Sequence, residues 1–179
     1  MTQSSHSPRV VFAHGKESGP RGSKIQHLAT IAGEFGFAVD SLDYQGMDDP
    51  HERVAHLLDR RPTGAPLVLV GSSMGGYVSA MACSALAPDA LLLMAPALYL
   101  DGYPGDPGDC PSDTIVVHGW HDDIVPVSSS FDFARRQQAS LHITNDGHRL
   151  ADSLTLIGAL FAQQLSRALT QAADRASHR

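Results

Sequence analysis

The stretch Leu67-Val68-Leu69-Val70-Gly71-Ser72-Ser73-Met74-Gly75-Gly76 decides how this chain folds. Its first four residues are apolar and rich in β-branching, and Gly64-Ala65-Pro66 bounds them, which is the pattern of a buried strand. The segment that follows, Tyr77 to Leu86, contains no Gly or Pro, and its larger apolar residues at 77, 78, 81, 85 and 86 recur at helical spacing. Gly-x-Ser-x-Gly between a strand and a helix predicts a nucleophile elbow, a sharp turn that holds one serine, Ser73, strained and exposed. Gly71 and Gly75 flank it because a Cβ at either place would crowd the turn.

Strand and helix signals alternate outward from this point. Arg9–Ala13 reads as a first strand, and Pro20 to Gly36 as a helix with Ile25, Leu28, Ala29, Ala32 and Phe35 on one face. Phe37–Leu42 is a second strand, and Pro50 to Arg61 a short helix with Val54, Leu57 and Leu58 inward. Beyond the elbow, Ala90–Met94, Thr114–Val117 and Ser140–Thr144 complete six strands, with a helix near 129–138 between the last two. The last helix carries Leu150, Leu154, Ile157, Phe161, Leu165 and Ala168 on one stripe. Near-continuous apolar strands alternating with helices predict a three-layer α/β/α sandwich around a mainly parallel six-stranded sheet. The connection Leu98 to Asp113 is rich in Gly, Pro, Asp and Tyr without amphipathic pattern, so it is expected to be a loop and not a helical cap.

A chain of 179 residues is expected to form one domain, 1–179, with flexible ends at 1–8 and 171–179. The net charge of −6, with no basic stripe, argues against nucleic acid as a partner. No window reaches the ~18 apolar residues of a membrane span, and Met1 to Pro8 lacks the apolar core of a signal peptide. Cys83 and Cys110 have no metal-like or redox spacing, so two unpaired thiols and a cytoplasmic location are expected.

In a parallel sheet, ligands sit outside the carboxyl ends of the strands. Every chemically suggestive segment lies there: His14-Gly15, Ser73, His121-Asp122 and His148. A serine hydroxyl needs a base, usually a histidine oriented by a carboxylate. His148 follows the last strand and precedes the last helix, and Gly147 permits a tight turn beside it. The carboxylate is Asp122 or its neighbour Asp123, in the loop after the fifth strand. An oxyanion hole requires two donors. Backbone N–H groups of Met74, after the nucleophile, and Lys16, in the loop after the first strand, are the candidates, and the Ser18 hydroxyl is a further donor. His14 is read as a brace for that loop. Trp120 and the segment Tyr99 to Tyr103 are candidates for lining a substrate cleft, and Lys16, Arg21 and Lys24 form a basic cluster suited to an anionic substrate.

Together, His14-Gly15, Gly71-Ser72-Ser73-Met74-Gly75-Gly76, His118-Gly119-x-x-Asp122-x-x-Val125-Pro126 and Gly147-His148 resemble the landmarks of the α/β-hydrolase superfamily, in its order and over most of the chain. The resemblance is nearest to small, lid-less serine esterases and thioesterase-like members. It implies that the acid is the Asp of Gly-x-x-Asp-x-x-Val-Pro, which selects Asp122. It also implies an ester or thioester hydrolase with a Ser73-His148-Asp122 triad, no metal or cofactor, a small-molecule or acylated substrate, and a monomer or small homo-oligomer. One departure is the short segment before the first strand, so the antiparallel N-terminal strands of larger members are expected to be absent. A peptidase or acyltransferase would use the same triad. Two other classes compete: a metal-dependent hydrolase built on His118, His121, Asp122 and Asp123, and a non-catalytic binding protein that kept the fold.

Overall fold

The structure is a computed structural model that describes residues 7–178. Six strands, β1 (Arg9–Ala13), β2 (Ala38–Leu42), β3 (Leu67–Ser72), β4 (Ala90–Met94), β5 (Asp113–Gly119) and β6 (Ser140–Thr144), form one sheet in the order β2-β1-β3-β4-β5-β6. Every neighbouring pair is parallel. The helices are α1 (Ser23–Glu34), α2 (Pro50–Arg60), α3 (Met74–Leu86), α4 (Val127–Gln137) and α5 (Leu154–Ser177).

Side chains of a strand point alternately to the two faces, and here each face meets helices. Val10, Phe12, Val68, Val70, Leu92 and Val117 pack with Ile25, Leu28 of α1 and Ile157, Phe161 of α5. Val11, Leu69, Leu91 and Val116 pack on the other face with Leu57 of α2, Tyr77 and Val78 of α3 and Phe133 of α4. Two buried faces leave few polar positions in the interior strands, which is why the sequence reads there as near-continuous apolar runs.

One local reading is extended and one corrected. Helix α2 buries Pro50, Arg53 and Leu57, with Val54 and Leu58 only partly covered, so its inward stripe includes a cation. Leu150 is buried but precedes the last helix, in a left-handed turn at φ 53°, because the connection must bend there to present the loop that carries His148. Residues 171–177 continue α5, and the Arg175 side chain reaches back to Asp89. Residues 1–6 of the expected N-terminal end lie outside the described residues.

The 98–112 connection contains no helix or strand. Tyr77 Oη donates to Pro104 O at 2.7 Å and Gln137 Nε2 to Gly108 O at 3.1 Å, which pins it across α3 and α4. No helix among the described residues is long and apolar enough to cross a membrane. The chain runs outward from β1 to β2 and then returns past β1 to β3, so the strand order reverses between β1 and β3. In open α/β sheets a crevice opens beyond the strand ends at such a point.

Candidate active site

Ser73 stands at this reversal. Its backbone has φ 54° and ψ −118°, a strained conformation for a residue with a side chain. Dense bonding holds it there: Ser73 N donates to Met94 O at 2.9 Å, and Ser73 O accepts from Gly76, Tyr77 and Ala97 N–H groups at 2.9, 3.2 and 3.0 Å. A Cβ at Gly75 would run into the Ala13 carbonyl of β1, and one at Gly71 into the Gly75 carbonyl. Only glycine lets the start of α3 approach β1 this closely.

The β6–α5 connection brings His148 to the serine. Ser73 Oγ lies 3.1 Å from His148 Nε2, and His148 Nδ1 lies 2.7 Å from Asp122 Oδ2. An ionised carboxylate only accepts, so Nδ1 carries the proton and Nε2 is free to accept from the serine hydroxyl. Asp122 is fully enclosed, and all its contacts are donors. Oδ1 accepts from Ile124 and Val125 N–H at 2.9 and 2.8 Å, and Oδ2 from His148 Nδ1–H at 2.7 Å, with His118 Nε2 3.0 Å away. Burial pushes its carboxyl up, but the Val125, His148 and Ile124 hydrogen bonds outweigh that and hold it below the ordinary value. Asp123 is exposed, so of the two adjacent acids only Asp122 meets the histidine.

Sequence reasoning placed His118 only in the competing metal reading and gave it no role beside the triad. Its ring is fully buried: Nε2 donates to Val125 O at 3.0 Å, and Nδ1 accepts from Ser130 Oγ at 2.7 Å. Burial lowers its pKa. The available signal was its place four residues before Asp122, at the end of a buried strand.

The loop after β1 lies against the serine. An ideal Cβ on Gly15 would sit 3.4 Å from Ser73 Cβ. His14 braces it as expected: Nδ1 donates to Gly15 O at 2.7 Å, and Nε2 accepts from Tyr44 N at 2.9 Å. Burial lowers the His14 pKa and favours this neutral form. Lys16 follows Gly15 directly, with its side chain outward, 3.6 Å from Asp48. Met74 opens α3, where a first-turn N–H has no partner within the helix. The Ser18 hydroxyl leans on Gly15 O at 3.4 Å.

The other candidates divide. Trp120 is 56% exposed beside Phe131, with ring centroids 6.2 Å apart. Tyr99 is engaged elsewhere: its hydroxyl donates to Asp106 at 3.0 Å and Arg136 stacks over its ring. Tyr103, from the same connection, packs edge-on against Tyr77 of the elbow helix at 5.4 Å. The basic cluster is dispersed, since Lys24 Nζ donates to Arg149 O at 2.9 Å, next to His148. The four groups of the metal reading point to different partners: His118 to Ser130 and Asp122, His121 to Asn145, and Asp123 to solvent.

Residues 9–103, more than half of the chain, match the model of an uncharacterised protein family, UPF0227. The chain belongs to this family. The UPF0227 chain also resembles solved structures of the α/β-hydrolase superfamily. A superfamily protein from Xanthomonas campestris pv. campestris is 29% identical, with a TM-score of 0.79 over 89% of this chain and 98% of its own. Est1E from Butyrivibrio proteoclasticus is 16% identical, with a TM-score of 0.77 over 94% of this chain and 90% of its own. A lid-less α/β serine hydrolase from Xanthomonas campestris is 22% identical, with a TM-score of 0.64 over 90% and 83%. Among curated proteins none matches. The UPF0227 chain thus shares the fold of these α/β-hydrolase superfamily structures.

Proposed function

We propose that this protein is a serine hydrolase that cleaves a carboxylic ester or thioester through an acyl-enzyme intermediate. The observation that carries the reading is the unbroken chain Ser73 Oγ–His148 Nε2 at 3.1 Å and His148 Nδ1–Asp122 Oδ2 at 2.7 Å, on a serine held at φ 54°. The Xanthomonas campestris protein described as a lid-less serine hydrolase shares the fold and supports the same class.

The steps follow from the donors and acceptors present. His148 Nε2 takes the Ser73 proton as Oγ bonds to the carbonyl carbon. The oxyanion that forms is met by the Met74 and Lys16 N–H groups. Nε2–H then protonates the departing alcohol or thiol as its bond to carbon breaks. Water enters, loses a proton to Nε2, and attacks the acyl-enzyme, and Ser73 regains its proton as the acid leaves. Asp122 stays ionised throughout and stabilises the imidazolium. Trp120 and Ser18 are proposed to border the substrate, and the absent cap suits short acyl groups or a bulky substrate that presents its acyl end from outside.

A fluorophosphonate probe read by intact mass tests this directly. Wild type is expected to take up one label, Ser73→Ala none, and His148→Ala about 10³-fold more slowly or less, both variants keeping the wild-type circular dichroism. A folded wild type that resists the probe would overturn the reading. Hydrolysis of p-nitrophenyl esters and of acyl thioesters with matched chains then assigns the leaving-group preference.

A further inference from the structure

Arg53 is 1% exposed, on the buried face of α2, and no carboxylate lies within ion-pair distance of it among the described residues. A buried guanidinium without a counter-charge is costly, and folds keep one where it has work. Its hydrogen bonds go to backbone carbonyls. Nε donates to Met47 O at 2.8 Å, and Nη1 to His14 O at 3.1 Å and, more weakly, Gly15 O at 3.5 Å. Its Cζ sits 5.4 Å from the centre of the Tyr44 ring, the same tyrosine whose N–H holds His14 Nε2.

These contacts converge on one peptide unit. The carbonyl of Gly15 and the N–H of Lys16 belong to the same amide plane. That carbonyl receives His14 Nδ1–H at 2.7 Å, with the Ser18 hydroxyl at 3.4 Å and Arg53 at 3.5 Å behind it. Donors on a carbonyl draw electron density out of the amide and make its N–H a stronger donor, as in any hydrogen-bonded chain. They also fix the plane, so the N–H need not reorient when charge develops. The preceding unit is fixed as well, because His14 O accepts from Arg53.

We propose that Arg53, acting through the His14 and Gly15 carbonyls together with the His14 ring, is a positioning residue for the oxyanion hole. It orients and polarises the Gly15–Lys16 amide and supplies the positive charge that the transition-state oxyanion answers. The inference rests on the serine hydrolase reading and adds to it a residue from a helix that carries none of the reacting groups. It predicts a signature confined to the charged state of the reaction: substrate binding is left alone, and oxyanion binding is weakened.

The test compares wild type, Arg53→Met and Arg53→Lys in p-nitrophenyl acetate hydrolysis and in inhibition by an alkyl trifluoromethyl ketone, whose Ser73 adduct carries an oxyanion. Arg53→Met is expected to lose about 10- to 100-fold in kcat with KM within twofold, less than the 10²- to 10³-fold of deleting a direct donor. Its affinity for the ketone is expected to fall by the same factor. Arg53→Lys, which restores a cation without the fork, is expected to fall between. Wild-type kcat and ketone affinity in folded Arg53→Met, or a loss confined to KM, would overturn the proposal. Should Arg53→Met not fold, Arg53→Lys decides alone: a loss of at least threefold in both quantities supports the proposal and wild-type values sink it. Fluorophosphonate labelling of the wild type separates this failure from that of the hydrolase reading. A labelled wild type with an indifferent Arg53 refutes only the present inference, whereas an unlabelled wild type refutes both.

Discussion

Asp122 shows how completely a single side chain can be specified. Oδ1 accepts from the Ile124 and Val125 N–H groups, and Oδ2 from His148 Nδ1–H with His118 Nε2 3.0 Å away. Replacement by Asn keeps the shape and lets Oδ1 serve the two backbone N–H groups. It then turns an NH₂ toward the His148 ring N–H donor. His148 can meet that NH₂ only by moving its proton to Nε2, which removes the acceptor that Ser73 needs. Asp122→Asn is therefore expected to lower kcat by about 10⁴ with KM little changed, the size of effect that a wrong tautomer produces. Steady-state kinetics on p-nitrophenyl acetate would check it, and a loss under tenfold would mean that His148 holds its tautomer without the acid. The residue types were legible from order and spacing. The second imidazole on the acid was not, because two atoms of His118 and Asp122 meeting at 3.0 Å depend on how the β5–α4 turn folds.

At the level of elements, the β6–α5 connection is the part whose rigidity the chemistry needs. Asp146 frames it: Oδ1 accepts from Gly147 N–H at 2.7 Å, and Oδ2 from Ser153 N–H at 2.9 Å and its hydroxyl at 2.8 Å. Lys24 of α1 ties the same loop at Arg149 O. Asp146→Ala leaves every triad atom in place but frees these donors and loosens the loop, at a cost of about 1–3 kcal/mol. The expected outcome is faster hydrogen exchange over 147–153 and fluorophosphonate labelling slowed about tenfold, measured on the same folded sample. Unchanged labelling would show that His148 is held by its own two partners alone. Element identity was readable because apolar periodicity differs sharply between strand and helix. Arg53 on the inward face of α2 went unread because it is charged, and a charged residue on an amphipathic helix defaults to solvent. Backbone carbonyls of Met47, His14 and Gly15, invisible as a sequence pattern, make its burial tolerable.

For the whole molecule, alternation of apolar strands and helices predicted the parallel sheet, while the strand order β2-β1-β3-β4-β5-β6 came only with the structure. That order sets β1 beside β3 and so buries His14 next to the elbow, and His118, on β5, is likewise shut off from solvent. Arg53 and Asp43 face the first, and Asp122 and His148 the second. Burial lowers both folded-state pKa values from the ordinary 6.5. Below about pH 6.5 the unfolded chain therefore binds protons that the folded protein refuses, and stability falls as pH falls toward the lowered values. The slope is at most about 1.4 kcal/mol per pH unit for each histidine. The window is distinct from that of Asp122, whose depressed carboxyl adds stability above its ordinary 3.8 and loses it only as pH falls further through the folded value. Urea unfolding at pH 7.5 and 5.0 isolates the histidine effect. Wild type is expected to lose stability across this interval. His118→Gln, which keeps a polar group near Val125 O and Ser130 but cannot be protonated, is expected to lose about 1–2 kcal/mol less. Equal losses in the two proteins would mean that His118 accepts its proton in place, with Asp122 and Val125 O as ready partners for an imidazolium.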